Sequence, residues 1–443
     1  MRFGQSKWFS LGAAVVLLGS LLAGCGSGSD SKANEGSGSG GSDGQQINLR
    51  ISWWGSQDRN DRTLKVIKMY ESQHPNIKIT PEFLSWDGYW QKLATEAAGK
   101  NLPDIIQMDY AYIDQYASKQ LIAPLDPFIE AKVLDVSDID ANYLDSGKID
   151  GKLYGINLGA NSIAIAYDPE MFKEAGVPEP PADGMSWDDF AAMLKKLKDN
   201  LPKGTYAINN MDDMSGFKHY LRENGTWVYN DAGDGLGYTD DKYLTWYFDY
   251  FNKLREAGVV PNEETELGVK GLEDSLIVHK KAAMQSFNSN QLVALASAAG
   301  RPLKLMMYPT LPGGKPGHFI KPSQFFSLYS GSKHQKEAVD FINYFTNDLE
   351  ANKVLAAERG VPVPTKIREA LYPNLSPAEK TTFDYVESVG KVAGPINPPD
   401  PELSPKVGDL FTQIQQAVNY GKTTPEQAAK QFRDQASQDL KGQ

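Results

Sequence analysis

Residues 101–109 read N-L-P-D-I-I-Q-M-D, and this stretch decides the fold. A proline punctuates it, and residues 105–108 form an apolar run that is too short for a helix. Asp109 then leads directly into two aromatic residues, Tyr110 and Tyr112. The pattern predicts a buried parallel strand that places an acid and two rings in a loop. Open α/β sheets hold their ligands at the carboxyl ends of such strands.

The segments before this strand alternate between strand and helix patterns. Residues 47–53 alternate as in a strand, residues 55–60 read as a polar loop, and apolar residues recur at helical spacing over 64–70. A second strand is predicted around residues 77–79 and a second helix from about 90 to 98. This order predicts a parallel α/β sheet with right-handed crossovers.

The second half of the chain continues the mixed pattern. A strand is predicted at residues 163–167 and a helix capped by Ser186, while residues 209–237 read as a polar region with a hairpin. The aromatic run at 243–251 predicts a buried helix, and short strands are predicted around residues 283 and 305. Three helices are predicted to close the chain, at residues 338–345, at 407–418 and from Thr424.

The amino terminus has the features of a lipoprotein leader. A short basic segment precedes an apolar run, and Leu-Ala-Gly stands immediately before Cys25. Cys25 is the sole cysteine, so the chain can form neither an internal disulfide nor a CxxC site. We expect residues 1–24 to be a signal peptide and residues 25–46 a flexible linker. Lipidation of Cys25 would then hold the protein on the extracellular face of the cell membrane.

Length and composition limit the possible classes. The 443 residues, of which 41% are hydrophobic, suffice for about two domains with large cores. A formal net charge of -11 disfavours a nucleic-acid partner. The sequence contains no motif typical of a metal or cofactor site, and none is predicted.

Eight short motifs, taken in order and at their spacing, carry a resemblance. They are L-R-I-S-W-W-G from Leu49, H-P-N-I-K-I from His74, L-P-D-I-I-Q-M-D from Leu102, L-I-A-P-L-D from Leu121, Y-G-I-N from Tyr154, S-W-D-D-F from Ser186, K-A-A-M from Lys281 and R-G-V-P-V from Arg359. Together the motifs resemble the extracellular solute-binding proteins of family 1, the carbohydrate-binding lipoproteins of bacterial ABC importers.

The resemblance implies two α/β lobes of type II periplasmic-binding-protein topology, with the ligand in the cleft between them. Carried onto this chain, it implies the following boundaries: residues 47–160 and 319–356 for lobe 1, residues 161–308 and 361–440 for lobe 2, and hinge crossings at 309–318 and 357–360. It also implies a monomer that is not an enzyme. Such a protein captures an oligosaccharide and delivers it to the permease subunits of an ABC importer.

Three further segments are similar to those of family members thought to import pectin-derived oligosaccharides of the rhamnogalacturonan type. They are W-W-G-S-Q-D-R from Trp53, S-W-D-G-Y-W from Ser85 and E-R-G-V-P-V from Glu358. A uronate ligand would require local positive charge in an acidic protein. The candidate cations are Arg59, Lys218, His219, Lys321 and Arg359.

Proteins bind sugars through flat aromatic faces and through paired hydrogen bonds from acid, amide and arginine side chains. Residues of these types at predicted strand ends and loops are the ligand-binding candidates. They are Trp54, Asp58, Arg59, Trp86, Tyr89, Asp109, Tyr110, Asn161, Asp212, Asp213, Asn288, Asn290 and Arg359.

Two other functions find some support in the sequence. A lipid-anchored glycoside hydrolase would need two carboxylates about a scissile bond, and Asp109 with Asp212 could supply them. The G-x-S-x-G at residues 40–44 does not support a hydrolase, because no strand precedes it. A calcium-dependent adhesin would use residues 230–241, but their spacing does not match an EF-hand loop and favours a polar hairpin.

Overall fold

The computed structural model describes residues 46–55, 57–181, 184–209, 211–269 and 271–441. The predicted signal peptide, Cys25 and the G-x-S-x-G at 40–44 lie outside these ranges. The residues in these ranges form one compact unit. Within the described ranges, no helix combines the length and the apolar character needed to cross a bilayer.

The elements have the following bounds. The strands are β1 (Ile47–Trp54), β2 (Ile77–Leu84), β3 (Ile105–Met108), β4 (Ile122–Ala123), β5 (Lys148–Ile149), β6 (Lys152–Leu153), β7 (Ile156–Asn157), β8 (Ala160–Asn161), β9 (Ile163–Tyr167), β10 (Tyr206–Asn209), β11 (Ala282–Asn288), β12 (Lys304–Met306), β13 (Lys321–Pro322) and β14 (Phe325–Tyr329). The helices are α1 (Gln57–Gln73), α2 (Trp86–Ala98), α3 (Tyr110–Ser118), α4 (Asp126–Glu130), α5 (Ala141–Leu144), α6 (Pro169–Glu174), α7 (Trp187–Asn200), α8 (Met214–Glu223), α9 (Lys242–Glu256), α10 (Glu263–Leu267), α11 (Leu292–Ala299), α12 (Gln335–Asn347), α13 (Leu349–Leu355), α14 (Thr365–Leu371), α15 (Pro377–Val392), α16 (Ser404–Asn419) and α17 (Pro425–Leu440). Short 3-10 turns occupy Asp145–Gly147, Ser289–Gln291 and Tyr372–Asn374.

The first sheet has the strand order β2-β1-β3-β14-β4, and β7 also pairs with β14. β1 runs parallel to both β2 and β3, and all four residues of β3 are buried. The prediction of a buried parallel strand before Asp109 is therefore confirmed. The antiparallel β14, which comes from much later in the chain, lies between β3 and β4.

The second sheet has the order β10-β11-β9-β12. β10 and β11 are parallel, whereas β9 runs antiparallel to both β11 and β12. Helices α7, α8, α9, α16 and α17 bury their apolar faces in the core on one side of this sheet. A second core runs from the first sheet to the other side of the second sheet, so apolar packing is continuous between the two sheets.

A small antiparallel pair, β8 with β13, lies where the chain passes between the two sheets. β8 stands between β7 of the first sheet and β9 of the second, while β13 stands between β12 of the second sheet and β14 of the first. Ala160 in β8 also forms a bridge with Val361. We call β8 and β13 together the connecting pair.

The structure corrects four predicted elements. The segment 55–60 is not a loop throughout, because α1 already begins at Gln57. α2 begins at Trp86 rather than near residue 90. The region 209–237 contains helix α8, and a single bridge between Tyr229 and Leu236 remains of the predicted hairpin. The end of the chain holds α13, α14 and α15 in addition to the three predicted helices.

Candidate functional site

The carboxyl ends of β1, β2 and β3 meet at one edge of the first sheet because these strands are parallel. Trp54 ends β1, Trp86 follows β2, and Asp109 follows β3. The alternation of side chains along β1 places Trp53 in one core and Trp54 on the opposite face. Three of the predicted site residues therefore lie at one edge.

Aromatic rings form a continuous cluster at this edge. The ring of Trp54 meets that of Trp86 edge to face, with centroids 5.0 Å apart, and Trp90 stacks on Tyr112 at 3.9 Å. Trp86 is 41% exposed. Its neighbours fix its orientation while part of the ring remains open to a ligand, which suits stacking on the apolar face of a sugar.

Tyr89 belongs to the packing behind this cluster rather than to its open face. It is 1% exposed, and its hydroxyl donates a hydrogen bond to the carbonyl of Gln107 at 2.5 Å. The ring of Tyr89 also contacts that of Trp54, with centroids 5.1 Å apart. The structure thus places the Tyr89 ring in the packing behind the edge, and its contact with a ligand stays a prediction. The helical spacing from Trp86 turns Tyr89 towards the sheet.

Asp109 and Tyr110 begin helix α3. The Asp109 carboxylate accepts a hydrogen bond from the backbone N–H of Ala111 at 2.9 Å, which caps the helix. Burial raises the pKa of Asp109, against the opposing effects of that hydrogen bond and of the Lys321 charge. The Tyr110 hydroxyl donates to the carbonyl of Asn397 at 2.5 Å, and burial raises its pKa.

Arg59 and Arg359 lie behind the aromatic cluster and connect the first sheet and α1 to the segment at residues 358–359. Arg59 donates from Nε to Glu358 at 2.9 Å and from Nη1 to the carbonyl of Trp54 at 3.1 Å. Arg359 is buried and donates from Nη2 to the hydroxyl of Thr63 at 2.9 Å. Burial lowers the pKa of Arg359 to about 9. Arg59 therefore joins the end of β1 to Glu358, and Arg359 joins the same segment to α1.

The second sheet carries a cavity of about 390 Å³ near the carboxyl ends of β10 and β11. Its polar lining residues include Asn209, Asp213, Glu266, Gln285, Ser286, Asn288 and Tyr308. Asp213 caps α8 by accepting from the N–H of Gly216 at 2.9 Å. Burial raises the pKa of Asp213 to about 6. Asp213 also lines the cavity. The lining thus offers amides, hydroxyls and carboxyls, which are the groups that pair with sugar hydroxyls.

The edge of the first sheet and the cavity of the second both face the connecting pair. Phe325 pairs with Met108, so β14 begins at the carboxyl end of β3, shortly after β13. Ile163 pairs with Asn288, so β9 begins at the carboxyl end of β11, shortly after β8. Because β8 pairs with β13, the two sets of side chains lie on the side of their sheets that faces the connecting pair.

The structure groups the predicted residues in three ways. The candidate edge or cavity contains Trp54, Trp86, Asp109, Tyr110, Asp213 and Asn288, and Asn161 lies buried in the connecting pair. Exposed positions away from the described cavity are held by Asp58 and Asn290. Internal hydrogen bonds or ion pairs engage Arg59, Tyr89, Asp212 and Arg359. Contact with a ligand stays a prediction for all of them.

Sequence reasoning missed Asn209, Gln285 and Tyr308. Asn209 ends β10, so the rule that singled out Asp109 could have found it. Gln285 lies inside β11, and Tyr308 follows β12 with its hydroxyl bonded to that of Ser286. No local pattern marks these two, because their place in the cavity depends on strand order.

The hydrolase alternative gains no support from the two named carboxylates. Asp212 forms an ion pair with Arg255 at 2.6 Å, and Asp109 is engaged in capping α3. Both carboxylates are thus already engaged within the protein, so neither is positioned as a free group beside a scissile bond. Among the described residues, no group of three or more histidine, cysteine or acidic side chains is arranged to hold a metal ion.

Two α/β lobes joined through the connecting pair, each with ligand-type side chains on the side that faces this pair, are typical of a solute-binding protein. The model of the family "Bacterial extracellular solute-binding protein" matches residues 65–380, well over half of the chain. The chain belongs to this family, and the predicted two-lobe fold is confirmed.

Known proteins show the extent of the similarity. A structure of an extracellular solute-binding protein of family 1 from Alicyclobacillus acidocaldarius is 37% identical with a TM-score of 0.82, covering 90% of this chain and 99% of that one. A periplasmic oligogalacturonide binding protein from Yersinia enterocolitica, solved with digalacturonic acid, is 25% identical with a TM-score of 0.70 over the same shares. The multiple sugar-binding protein of Streptococcus mutans is 25% identical over 85% of this chain and 88% of its own length. The chain matches 31% of the length of putative binding proteins of Brucella at 27% identity.

Proposed function

We propose that this protein is the extracellular binding component of an ABC importer and that it captures an oligosaccharide between its two lobes. The observation that carries the proposal is that an aromatic edge of the first sheet and a polar cavity of the second both face the connecting pair. Aromatic faces with amides, hydroxyls and carboxyls are the chemistry that recognises sugars. The Streptococcus mutans protein, named for sugar binding, supports this choice of ligand.

Capture would proceed by closure of the lobes. A ligand that touches both lobes favours the closed form, because those contacts exist only in that form. The hydrogen bond from Tyr110 to Asn397 supports such closure. Tyr110 begins α3 beside the first sheet, and Asn397 lies between α15 and α16. The closed form would then deliver the sugar to the permease subunits.

We also infer a membrane location from the leader sequence. The apolar run, the small residues and the sole cysteine support removal of residues 1–24 and lipidation of Cys25. A lipid at Cys25 followed by a flexible linker would hold the binding domain near its permease. The protein would act as a monomer on the extracellular face of the cell membrane.

For the ligand itself we propose a pectin-derived oligosaccharide, of the rhamnogalacturonan or a related type. The three motifs from Trp53, Ser85 and Glu358 support this assignment. The Yersinia enterocolitica protein, whose structure contains digalacturonic acid, supports it independently.

A thermal-shift screen tests the sugar-binding function. The protein is heated with fragments of rhamnogalacturonan, galacturonan, xylan, mannan and maltodextrin, and with amino acids and a short peptide as non-sugar controls. A glycan at about a hundredfold over its dissociation constant should stabilise the protein by about 2.7 kcal/mol, which raises the melting temperature measurably. No shift with any glycan, or a shift with the peptide alone, would overturn the proposal.

A further inference from the structure

A second cavity, of about 670 Å³, lies beside the contact between Tyr110 and Asn397. Its lining includes Arg222, Trp227, Asn230, Lys315 and Asn397. We call it the Arg222 cavity. Asn397 therefore belongs to its wall and also accepts the hydrogen bond from Tyr110. A molecule in this cavity would touch the segment through which the first lobe reaches the second.

Arg222 has no carboxylate partner within 4.0 Å among the described residues. Each of the other arginines in the described part of the chain has at least one acidic partner within that distance. These pairs are Arg50 with Glu82 and Glu96, Arg59 with Glu358, Arg62 with Asp58, Arg255 with Asp212, Arg301 with Asp168, Arg359 with Glu358, Arg368 with Asp140, and Arg433 with Asp241. In a chain with net charge -11, an arginine without an acidic partner is an exception.

Neutral acceptors hold the Arg222 guanidinium in place. Nε donates to the carbonyl of Gly317 at 2.7 Å, and Nη2 donates to the carbonyls of Pro395 at 2.8 Å and His318 at 3.5 Å. Nη1 donates to the side-chain oxygen of Asn397. These bonds fix the orientation of the guanidinium group but bring no negative charge to it. Burial lowers the pKa of Arg222 to about 10, so the group remains charged at neutral pH.

The other walls of the cavity combine aromatic surface with mixed charge. The guanidinium carbon of Arg222 lies 6.0 Å from the centre of the Trp227 ring. Lys315 is exposed in the lining, and the same lining contains one acid, Asp231, alongside Arg222 and Lys315. The side-chain oxygen of Asn230 is buried without a hydrogen-bond partner and can accept one from a hydroxyl.

We propose that the Arg222 cavity binds the carboxylate of a uronic acid unit. This inference rests on the proposed function and deepens it, because it makes the transported oligosaccharide acidic. A uronate offers a carboxylate for Arg222 and Lys315, hydroxyls for Asn230, and a C–H face for Trp227. A carboxylate beside a buried, fixed guanidinium forms a strong, charge-assisted contact. Occupation would also hold the segment at Asn397 in place for contact with Tyr110.

The test compares two ligands of equal shape and different charge. Isothermal titration calorimetry is carried out on the full chain with trigalacturonate and with its methyl ester. The acid is expected to bind at least about tenfold more tightly than the ester, and the preference should weaken with added salt. Equal affinities for acid and ester would overturn the inference and leave the proposed function intact. If neither ligand nor any neutral glycan binds, both proposals fall.

Variants locate the charge preference. Arg222→Gln should bring the acid down to the affinity of its ester, and Lys315→Ala should weaken acid binding several-fold while ester binding stays constant. Because Lys315 is exposed, its replacement leaves the fold intact even if the Arg222 variant fails to fold. Lys336→Ala, at an exposed site in α12, is the matched control. Loss of acid preference in the Lys336 variant, or its retention in both other variants, would contradict the assignment.

Discussion

Replacing Trp86 by alanine should weaken ligand binding strongly and stability slightly. A tryptophan side chain buries on the order of 250 Å², and 41% of the residue is exposed, so a ligand can cover roughly 100 Å² of it. At about 25 cal/mol per Å², that area corresponds to about 2.5 kcal/mol, or a dissociation constant roughly 70-fold higher. The rest of the ring contacts Trp54 and Trp90, which keep their own packing.

Calorimetry with a glycan that shifts the melting temperature measures this effect. Tyr420→Ala is the matched control, because Tyr420 is 45% exposed and lies just after α16. The control should leave affinity unchanged. If Trp86→Ala binds as tightly as the control, the aromatic edge of the first sheet is not a ligand surface and the derivation from strand ends is wrong.

Three further variants test other parts of the structure. Arg301 pairs with the buried carboxylate of Asp168 at 2.6 Å, so Arg301→Met leaves that carboxylate without its cation. The free energy of unfolding, measured in urea, should fall by about 3–5 kcal/mol. Lys304→Met removes an exposed ion pair and should lower it little. Burial raises the pKa of Asp213 in the folded state to about 6. Between about pH 4 and 6 the folded state therefore binds more protons than the unfolded state, and the free energy of unfolding falls as the pH rises through that window. Asp213→Asn should flatten this dependence in urea midpoints, and an unchanged slope would contradict the assignment to Asp213. Tyr110→Phe removes the hydrogen bond to Asn397 and should weaken glycan binding by about 2- to 10-fold. Tyr372→Phe, which removes an exposed hydrogen bond to Asp384 away from the candidate site, is the control that should keep wild-type affinity.

Local pattern was sufficient for the framework of the first sheet. The apolar run before Asp109 is β3, and the alternation that placed Trp53 inside and Trp54 on the other face holds in the structure. Ser186 caps α7 by accepting from the N–H of Asp189, as its spacing predicted. These features depend on interactions within a few residues, so they can be found in the sequence itself.

Features that depend on distant partners were missed. The first turn of α1 is polar and carries no apolar repeat, so its sequence pattern predicts a loop. Its residues are instead fixed from outside, since Asn60 accepts from Trp53 and Arg59 pairs with Glu358, almost three hundred residues later. The cavity of the second sheet follows the same rule, because strand order rather than sequence spacing brings both Tyr308 and Gln285 to its lining.

The distribution of positive charge shows this limit most clearly. Arg59 and Lys218 are among the cations predicted from the sequence to bind an acidic ligand. In the fold, Arg59 pairs with Glu358 and Lys218 pairs with Asp400. Arg222, which the sequence did not single out, is held by backbone carbonyls and an amide and keeps its charge uncompensated. Removing a guanidinium from water is costly unless an anion or good hydrogen bonds replace the water. The neutral acceptors offset part of the desolvation free energy of Arg222. An anionic ligand would offset the remainder, and only in the bound state. A cation in this state is therefore better suited to recognise an acidic sugar than one already neutralised in the empty protein.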